Sequence, residues 1–196
     1  SFPTRRSSDL SNLYYALKRH MFDTNIGSEK LFEYDQNIIR HTKAINEKRP
    51  EKIQWKYYQY LALLFTEVYL DRYFANKQKL LDDINNFLQD DFNIRTETWN
   101  GIEEFAEDSL SKLAFWCATG SGKTLMMHVN ILQYRHYTEK YHAKKTNRTI
   151  ILTPNEGLSN QHLLELEASN IDAHIFSKQT STGLFKGEGV DIIDVN

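Results

Sequence analysis

A glycine-rich stretch in the middle of the chain has the residue types that bind phosphate groups. Its residues are Ala118, Thr119, Gly120, Ser121, Gly122, Lys123 and Thr124. Glycines let the backbone curl so that successive N–H groups face one anion, and Lys123 adds a compact positive charge for the β- and γ-phosphates. The hydroxyl of Thr124 is suited to ligate Mg²⁺. The pattern therefore predicts a P-loop that binds ATP together with Mg²⁺.

The neighbours of this stretch predict the strand–loop–helix context that a phosphate-binding loop requires. Residues 113–117 form an apolar run that predicts a buried parallel strand, and helix-period sequence follows from Lys123 to about Tyr141. The strict pattern has glycine where Cys117 stands, and we expect a small side chain to fit there. We interpret Cys117 as a small buried hydrophobe, with a redox or nucleophilic role as the alternative. For the loop itself, the alternative is a glycine-rich turn with an accidental lysine.

Residues 11–92 predict a region of helices. Ser28 is placed to cap a first helix that Pro50 ends. A second helix is expected over about 54–74, and a third after the cap residue Asn76. Apolar stripes are expected on the second and third helices at Tyr58, Leu61, Phe65 and Val68, and at Leu80, Leu81, Ile84, Phe87 and Leu88. The many aromatic residues between 55 and 74 favour helix packing, with stacking on nucleic-acid bases as the alternative.

After residue 93 the sequence predicts strands that alternate with helices. Further strands are expected at 149–153, 173–176 and 190–195, with a helix over 158–168 and a loop over 177–189. This alternation argues for an α/β fold with a parallel sheet.

Composition excludes several classes of protein. The chain of 196 residues is 40% hydrophobic and 26% charged with a net charge of -2, so a nucleic-acid surface would have to be a local patch. A single cysteine leaves no intrachain disulfide and indicates a reducing, cytoplasmic compartment. No apolar run reaches the ~18 residues that span a bilayer, so a membrane partner is not expected. Residues 1–10 match the translation of a widely used sequencing adapter, and we interpret them as an assembly artefact beyond which the true protein continues upstream, with a native polar tail as the alternative.

Two segments resemble motifs of superfamily-2 helicases. Residues 117–124 look like motif I, and residues 153–161 look like motif Ia, in which Pro154, Leu158 and Gln161 match in register. Glu156 departs from the pattern, because many relatives have arginine at that position. The stretch 115–127 is similar to the DEAD/DEAH-box branch that includes the Res subunit of type III restriction enzymes.

The resemblance implies a helical N-terminal region at 11–92 and, at 93–196, the first half of a RecA-like ATP-binding domain. It implies an ATP-hydrolysing DNA helicase or translocase, with endonuclease activity as a further option and with DNA and a modification methyltransferase subunit as partners. Lys123 and Thr124 would be the catalytic residues and Thr124 the Mg²⁺ ligand. The nucleic-acid contacts would come from Thr153, Pro154, Asn155 and Gln161.

Several motifs of a complete motor of this type do not occur in the sequence, among them D-E-x-[HD] of motif II and the second lobe with its arginine finger. We therefore expect a truncated fragment that does not hydrolyse ATP by itself at a useful rate. Arg95, Thr96 and Trp99 are candidates for contacts with the adenine. Two other functions stay open, a P-loop ATPase without a motor role and a helical protein-interaction module with a vestigial nucleotide fold.

Overall fold

The computed structural model describes residues 11–20, 26–92, 103–144, 148–176 and 189–195. Its helices are α1 (Asn12–His20), α2 (Ser28–Asn46), α3 (Tyr57–Ala75), α4 (Lys77–Phe87), α5 (Lys123–Lys140) and α6 (Glu156–Ala168). Its strands are β1 (Arg148–Thr153), β2 (Ala173–Ile175) and β3 (Gly189–Asp194). A π-helical turn at Leu88–Phe92 follows α4, and a 3₁₀ turn at Glu107–Ser111 precedes α5.

The strands of the described residues form one parallel sheet in the order β1-β3-β2. Ile151 of β1 pairs with Ile192 of β3, and Ile175 of β2 pairs with the same residue from the other side. Helices flank this sheet, and the longer ones precede it in the chain. The prediction of a helical region followed by a partial RecA-like parallel sheet is therefore confirmed.

The predicted strand at 113–117 is wrong. These residues form no strand, and Leu113, Phe115 and Trp116 are exposed, Trp116 by 97% of its surface. An extended segment becomes a strand only when a neighbour pairs with its backbone groups. None of the described strands pairs with this segment, because β1 is bonded to β3 alone and its other edge has no strand partner within the described residues.

The helix ends follow the predictions in part. Asn76 caps α4 as expected, and its side chain accepts a hydrogen bond from the backbone N–H of Lys79 at 2.9 Å. Ser28 does not cap α2; the cap position is Gly27, and Ser28 is the first helical residue. The same helix ends at Asn46, four residues before Pro50. Asn46 closes it by exchanging two hydrogen bonds with the backbone of Ile53, at 2.8 and 3.1 Å.

The buried face of α3 differs from the predicted stripe. Leu61 and Val68 of the stripe pack against the core, next to the buried Leu64, but Phe65 is 66% exposed and Tyr58 is also exposed. Likewise Leu80 and Leu88 of the predicted stripe in the next helix are buried but Phe87 is exposed. The α3 face that packs against α2 and α5 also carries two acidic residues, which apolar periodicity does not predict.

Those two acidic residues, Glu67 and Asp71, are buried and hold α5 against α3. Glu67 accepts hydrogen bonds from the hydroxyl of Tyr137 at 2.5 Å and the amide of Gln133 at 2.8 Å, both on α5. Burial raises the pKa of the Glu67 carboxyl, and these hydrogen bonds oppose the rise. Asp71 accepts from the ammonium group of Lys140 at 2.8 Å, at the end of the same helix. Two carboxylates one helical turn apart thus fix the orientation of α5.

A single apolar cluster joins the helical region to the sheet. Its buried members include Ile38 of α2, Leu63 of α3, Val129 of α5 and Ile192 of β3. The predicted division of the chain near residue 93, residues 1–10 and nearly all of the predicted loop at 177–189 lie outside the described residues.

Candidate nucleotide site and the segment after β1

The predicted phosphate loop has the backbone shape that its glycines permit. Gly120 and Gly122 have positive φ angles of 75° and 85°, in the left-handed region where a side chain is strained. Gly122 is the cap residue of α5, which begins at Lys123 as predicted. The first turns of this helix therefore place their unpaired N–H groups beside the loop, where they favour a negative charge.

An open cleft of 410 Å³ lies against the loop. It is lined by Tyr58, Trp116, Cys117, Ala118, Thr119, Gly120 and Ser121. The hydroxyl of Ser121 is buried and has no hydrogen-bond partner within the described residues. A buried hydroxyl without a partner is costly, so this loop is suited to a polar ligand.

Lys123 and Thr124 lie at the start of α5, Lys123 exposed and Thr124 half-buried. The ammonium group of Lys123 folds back onto the loop and donates to the carbonyl oxygens of Cys117 at 3.0 Å and Ala118 at 2.9 Å. Both acceptors are neutral carbonyls, which bind an ammonium ion less strongly than a phosphate does. The lysine is thus held over the loop by contacts that an anion could replace.

Two residues of α3 support the loop, and neither contact was expected from the sequence. Gln59 donates from its amide to the carbonyl oxygen of Ser121 at 2.7 Å, and the Tyr58 hydroxyl donates to the same oxygen at 3.2 Å. The amide oxygen of Gln59 accepts from the backbone N–H of Lys56 at 2.8 Å, which caps the start of α3. A glutamine at the third position of a helix is a capping signal that sequence alone could have revealed. Its contact with the loop, 62 residues away, could not be read from that signal.

Cys117 is half-buried and packs against the apolar core. It lies at the start of the loop, and its carbonyl group contacts Lys123. This packing agrees with its interpretation as a small hydrophobe.

The predicted nucleic-acid segment follows β1 and leads into α6. The side chain of Asn155 caps α6 by accepting from the backbone N–H of Leu158 at 2.9 Å. Pro154, Asn155 and Gln161 are exposed. Thr153 is 1% exposed, and its hydroxyl lies 2.6 Å from that of Ser159. The Thr153 side chain is therefore buried, whereas the other three residues predicted to contact nucleic acid lie on the surface.

No hydrogen bond between described residues joins this segment to the phosphate loop. Arg95, Thr96 and Trp99, the candidates for adenine contacts, lie outside the described residues. Within the described parts of the chain, no group of three His, Cys, Asp or Glu side chains is arranged to hold a metal ion. None of the described helices combines the length and the apolar character needed to cross a membrane.

Comparison with known protein families gives a match over most of the chain. Residues 30–192 match the family described as "Type III restriction enzyme, res subunit". The chain belongs to this family. The match covers the phosphate loop and the segment after β1, together with most of the helical region from α2 onward and most of the sheet. The res-subunit family is a helicase family of superfamily 2, as the two motifs indicated. No curated protein and no solved structure matches the chain.

Proposed function

We propose that residues 118–124 bind the phosphates of ATP and that Thr124 ligates Mg²⁺. The observation that supports this most strongly is the loop itself, with two left-handed glycines, Lys123 bonded to the carbonyls of Cys117 and Ala118, and a buried Ser121 hydroxyl that has no hydrogen-bond partner within the described residues. Backbone N–H groups at the start of α5 would hold the phosphates, and Lys123 would exchange its carbonyl partners for phosphate oxygens. When bound, Mg²⁺ supplies charge neutralisation between phosphate oxygens.

We infer that the whole protein uses this nucleotide to move on DNA. Membership of the res-subunit family supports a helicase-type ATPase. The exposed side chains of Asn155 and Gln161 and the N-terminus of α6 would contact the phosphate backbone without reading bases. Thr153, being buried, would support this segment through its bond to Ser159. A restriction role beside a modification methyltransferase subunit, in the cytoplasm, completes the proposal.

A P-loop ATPase without a motor role is the alternative function. It would share Lys123 and Thr124 but would not need an exposed polar segment after β1. Turnover of ATP by the complete protein with and without single-stranded DNA separates the two, because only the motor requires stimulation by DNA.

The test of nucleotide binding is a titration of the complete protein with ATP and Mg²⁺. Lys123→Ala removes the only side-chain cation that the motif places in the loop, and a charge-assisted contact is worth about 1.5–3 kcal/mol. We expect the affinity for ATP to fall by a factor of about 10–100. Lys144→Ala, a described and exposed lysine near the end of α5, is the matched control and leaves affinity unchanged. Near-normal affinity in Lys123→Ala would contradict the assignment.

A further inference from the structure

Arg49 lies in the connection between α2 and α3 and binds the far end of α6. One of its terminal nitrogens, Nη2, donates to the backbone carbonyl of Glu165 at 3.1 Å, to the Glu165 carboxylate at 2.9 Å and to the hydroxyl of Ser169 at 2.8 Å. The end of a helix carries partial negative charge on its unpaired carbonyl groups. The positive charge of the half-buried Arg49 therefore offsets both the partial negative charge at the C-terminus of α6 and the carboxylate of Glu165.

Ser169 passes this contact on to α5. Its hydroxyl lies 2.8 Å from Nδ1 of His128, which is fully buried in the second turn after Lys123. Burial and the positive charge of Arg49 lower the pKa of His128 to about 4, so its ring is neutral at pH 7. Since Arg49 can only donate, Ser169 accepts from it, and the same hydroxyl is hydrogen-bonded to Nδ1 of His128. Ser169 thus joins Arg49 to His128.

Each of the two helices that meet at Ser169 carries a candidate site, which on α5 lies at the end near His128 and on α6 at the end away from Ser169. The N-terminus of α5 is the phosphate loop, and the N-terminus of α6 is the segment capped by Asn155. With 13 residues, α6 is about 20 Å long. A helix is a stiff element, so a displacement of the residues near its C-terminus also moves its N-terminus.

We propose that Ser169, held by Arg49, is a positioning residue that couples the nucleotide loop on α5 to the nucleic-acid segment on α6. When phosphates enter the loop, α5 shifts and His128 displaces Ser169. Helix α6 then rotates about its C-terminal end, which Arg49 holds. This inference rests on the proposed function. It predicts that ATP and DNA each change the affinity of the complete protein for the other, by the same factor.

The test compares the affinity of a non-hydrolysable ATP analogue for the complete protein with and without saturating single-stranded DNA. We expect the wild-type ratio to fall in the range of about 5–150-fold that coupled sites show. Ser169→Ala removes the shared hydroxyl, and we expect its ratio to approach about one while each ligand alone binds within about twofold of wild type. Ser111→Ala, which removes an exposed hydroxyl bonded to the Asp108 carbonyl, is the control and keeps the wild-type ratio. If Ser169→Ala does not fold, Arg49→Lys tests the same link, because an ammonium group keeps the charge but lacks the planar fork.

The possible outcomes separate the two proposals. A purely structural role of Ser169 would lower the melting temperature and leave the ratio at its wild-type value, which would overturn the inference. Binding of both ligands to the wild type without any mutual effect would overturn it too, while leaving ATP binding intact. No binding of the analogue by the wild-type protein would refute the proposed function itself. A ratio that collapses in Ser169→Ala with both separate affinities preserved supports the coupling.

Discussion

The contact between Gln59 and the phosphate loop predicts different effects for two glycine substitutions that sequence alone would treat alike. Gly120 and Gly122 both have positive φ angles, so an alanine at either position is strained by about 1–2 kcal/mol. A Cβ atom at Gly120 would meet nothing within 4 Å, whereas one at Gly122 would lie 2.5 Å from Nε2 of Gln59. Gly122→Ala therefore carries a cost that Gly120→Ala does not.

The size of that additional cost follows from what must move. Nε2 is the far end of a flexible side chain, so the overlap is relieved when Gln59 turns away from the loop. The side chain then loses its 2.7 Å hydrogen bond to the carbonyl oxygen of Ser121. A buried hydrogen bond contributes about 0.5–1.5 kcal/mol, so we expect Gly122→Ala to cost about 1 kcal/mol more than Gly120→Ala. For a chain of this size that difference lowers the melting temperature by a further 2–4 °C or so.

The assay is urea denaturation of the wild type, both glycine-to-alanine variants, Gln59→Ala alone, and each glycine variant combined with Gln59→Ala. Without the Gln59 side chain, Gly122→Ala has nothing to displace, and the two glycine variants should then cost the same free energy. The coupling between Gly122→Ala and Gln59→Ala should be about 1 kcal/mol, and that between Gly120→Ala and Gln59→Ala near zero. Equal costs of the two single glycine variants in the wild-type background would refute the reasoning.

Three further predictions concern charge and capping. Burial opposes the shift, but hydrogen bonds from Lys140 and Tyr141 lower the pKa of Asp71 to about 2. The ionised Asp71 therefore stabilises the fold by about 2 kcal/mol above pH 4, and this stabilisation is lost as the pH falls towards 2. Asp71→Asn should abolish that pH dependence in urea titrations. Because the pKa of His128 is lowered to about 4, its contribution to stability should fall by about 3 kcal/mol between about pH 6.5 and 4, and the loss of stability in His128→Gln should be shallower by that amount. Asn155→Ala should cost about 1 kcal/mol of stability through the lost cap and weaken single-strand binding equally for all sequences; a changed sequence preference would contradict this.

Local backbone features were predicted well from sequence. The glycine-dependent turn of the loop and the helix that begins at Lys123 were expected from the spacing of residues, because both are short continuous segments. The cap at Asn76 and the parallel sheet were predicted for the same reason, since capping and strand alternation are patterns of neighbouring residues.

The buried acidic residues of α3 were not predicted, because their burial depends on hydrogen-bond partners on another helix and not on apolar character. Glu67 is buried since Tyr137 and Gln133 of α5 satisfy its carboxylate, and Phe65 is exposed although it is apolar. A polar side chain can be buried when its hydrogen bonds are made, and no periodicity in one helix reveals the donors on another.

The sequence by itself determined the glycine-dependent turn of the loop, the helices and the strands from residue 149 onward, because these depend on residues that are neighbours in the chain. Only the tertiary structure decided which residues support the loop. Gln59 and Arg49 make their decisive contacts with Ser121 and Ser169, 62 and 120 residues further along. It also decided that residues 113–117 form no strand, since a strand is defined by the backbone of its neighbour. Contacts of this kind are set by packing in three dimensions, which the spacing of residues along one segment does not encode.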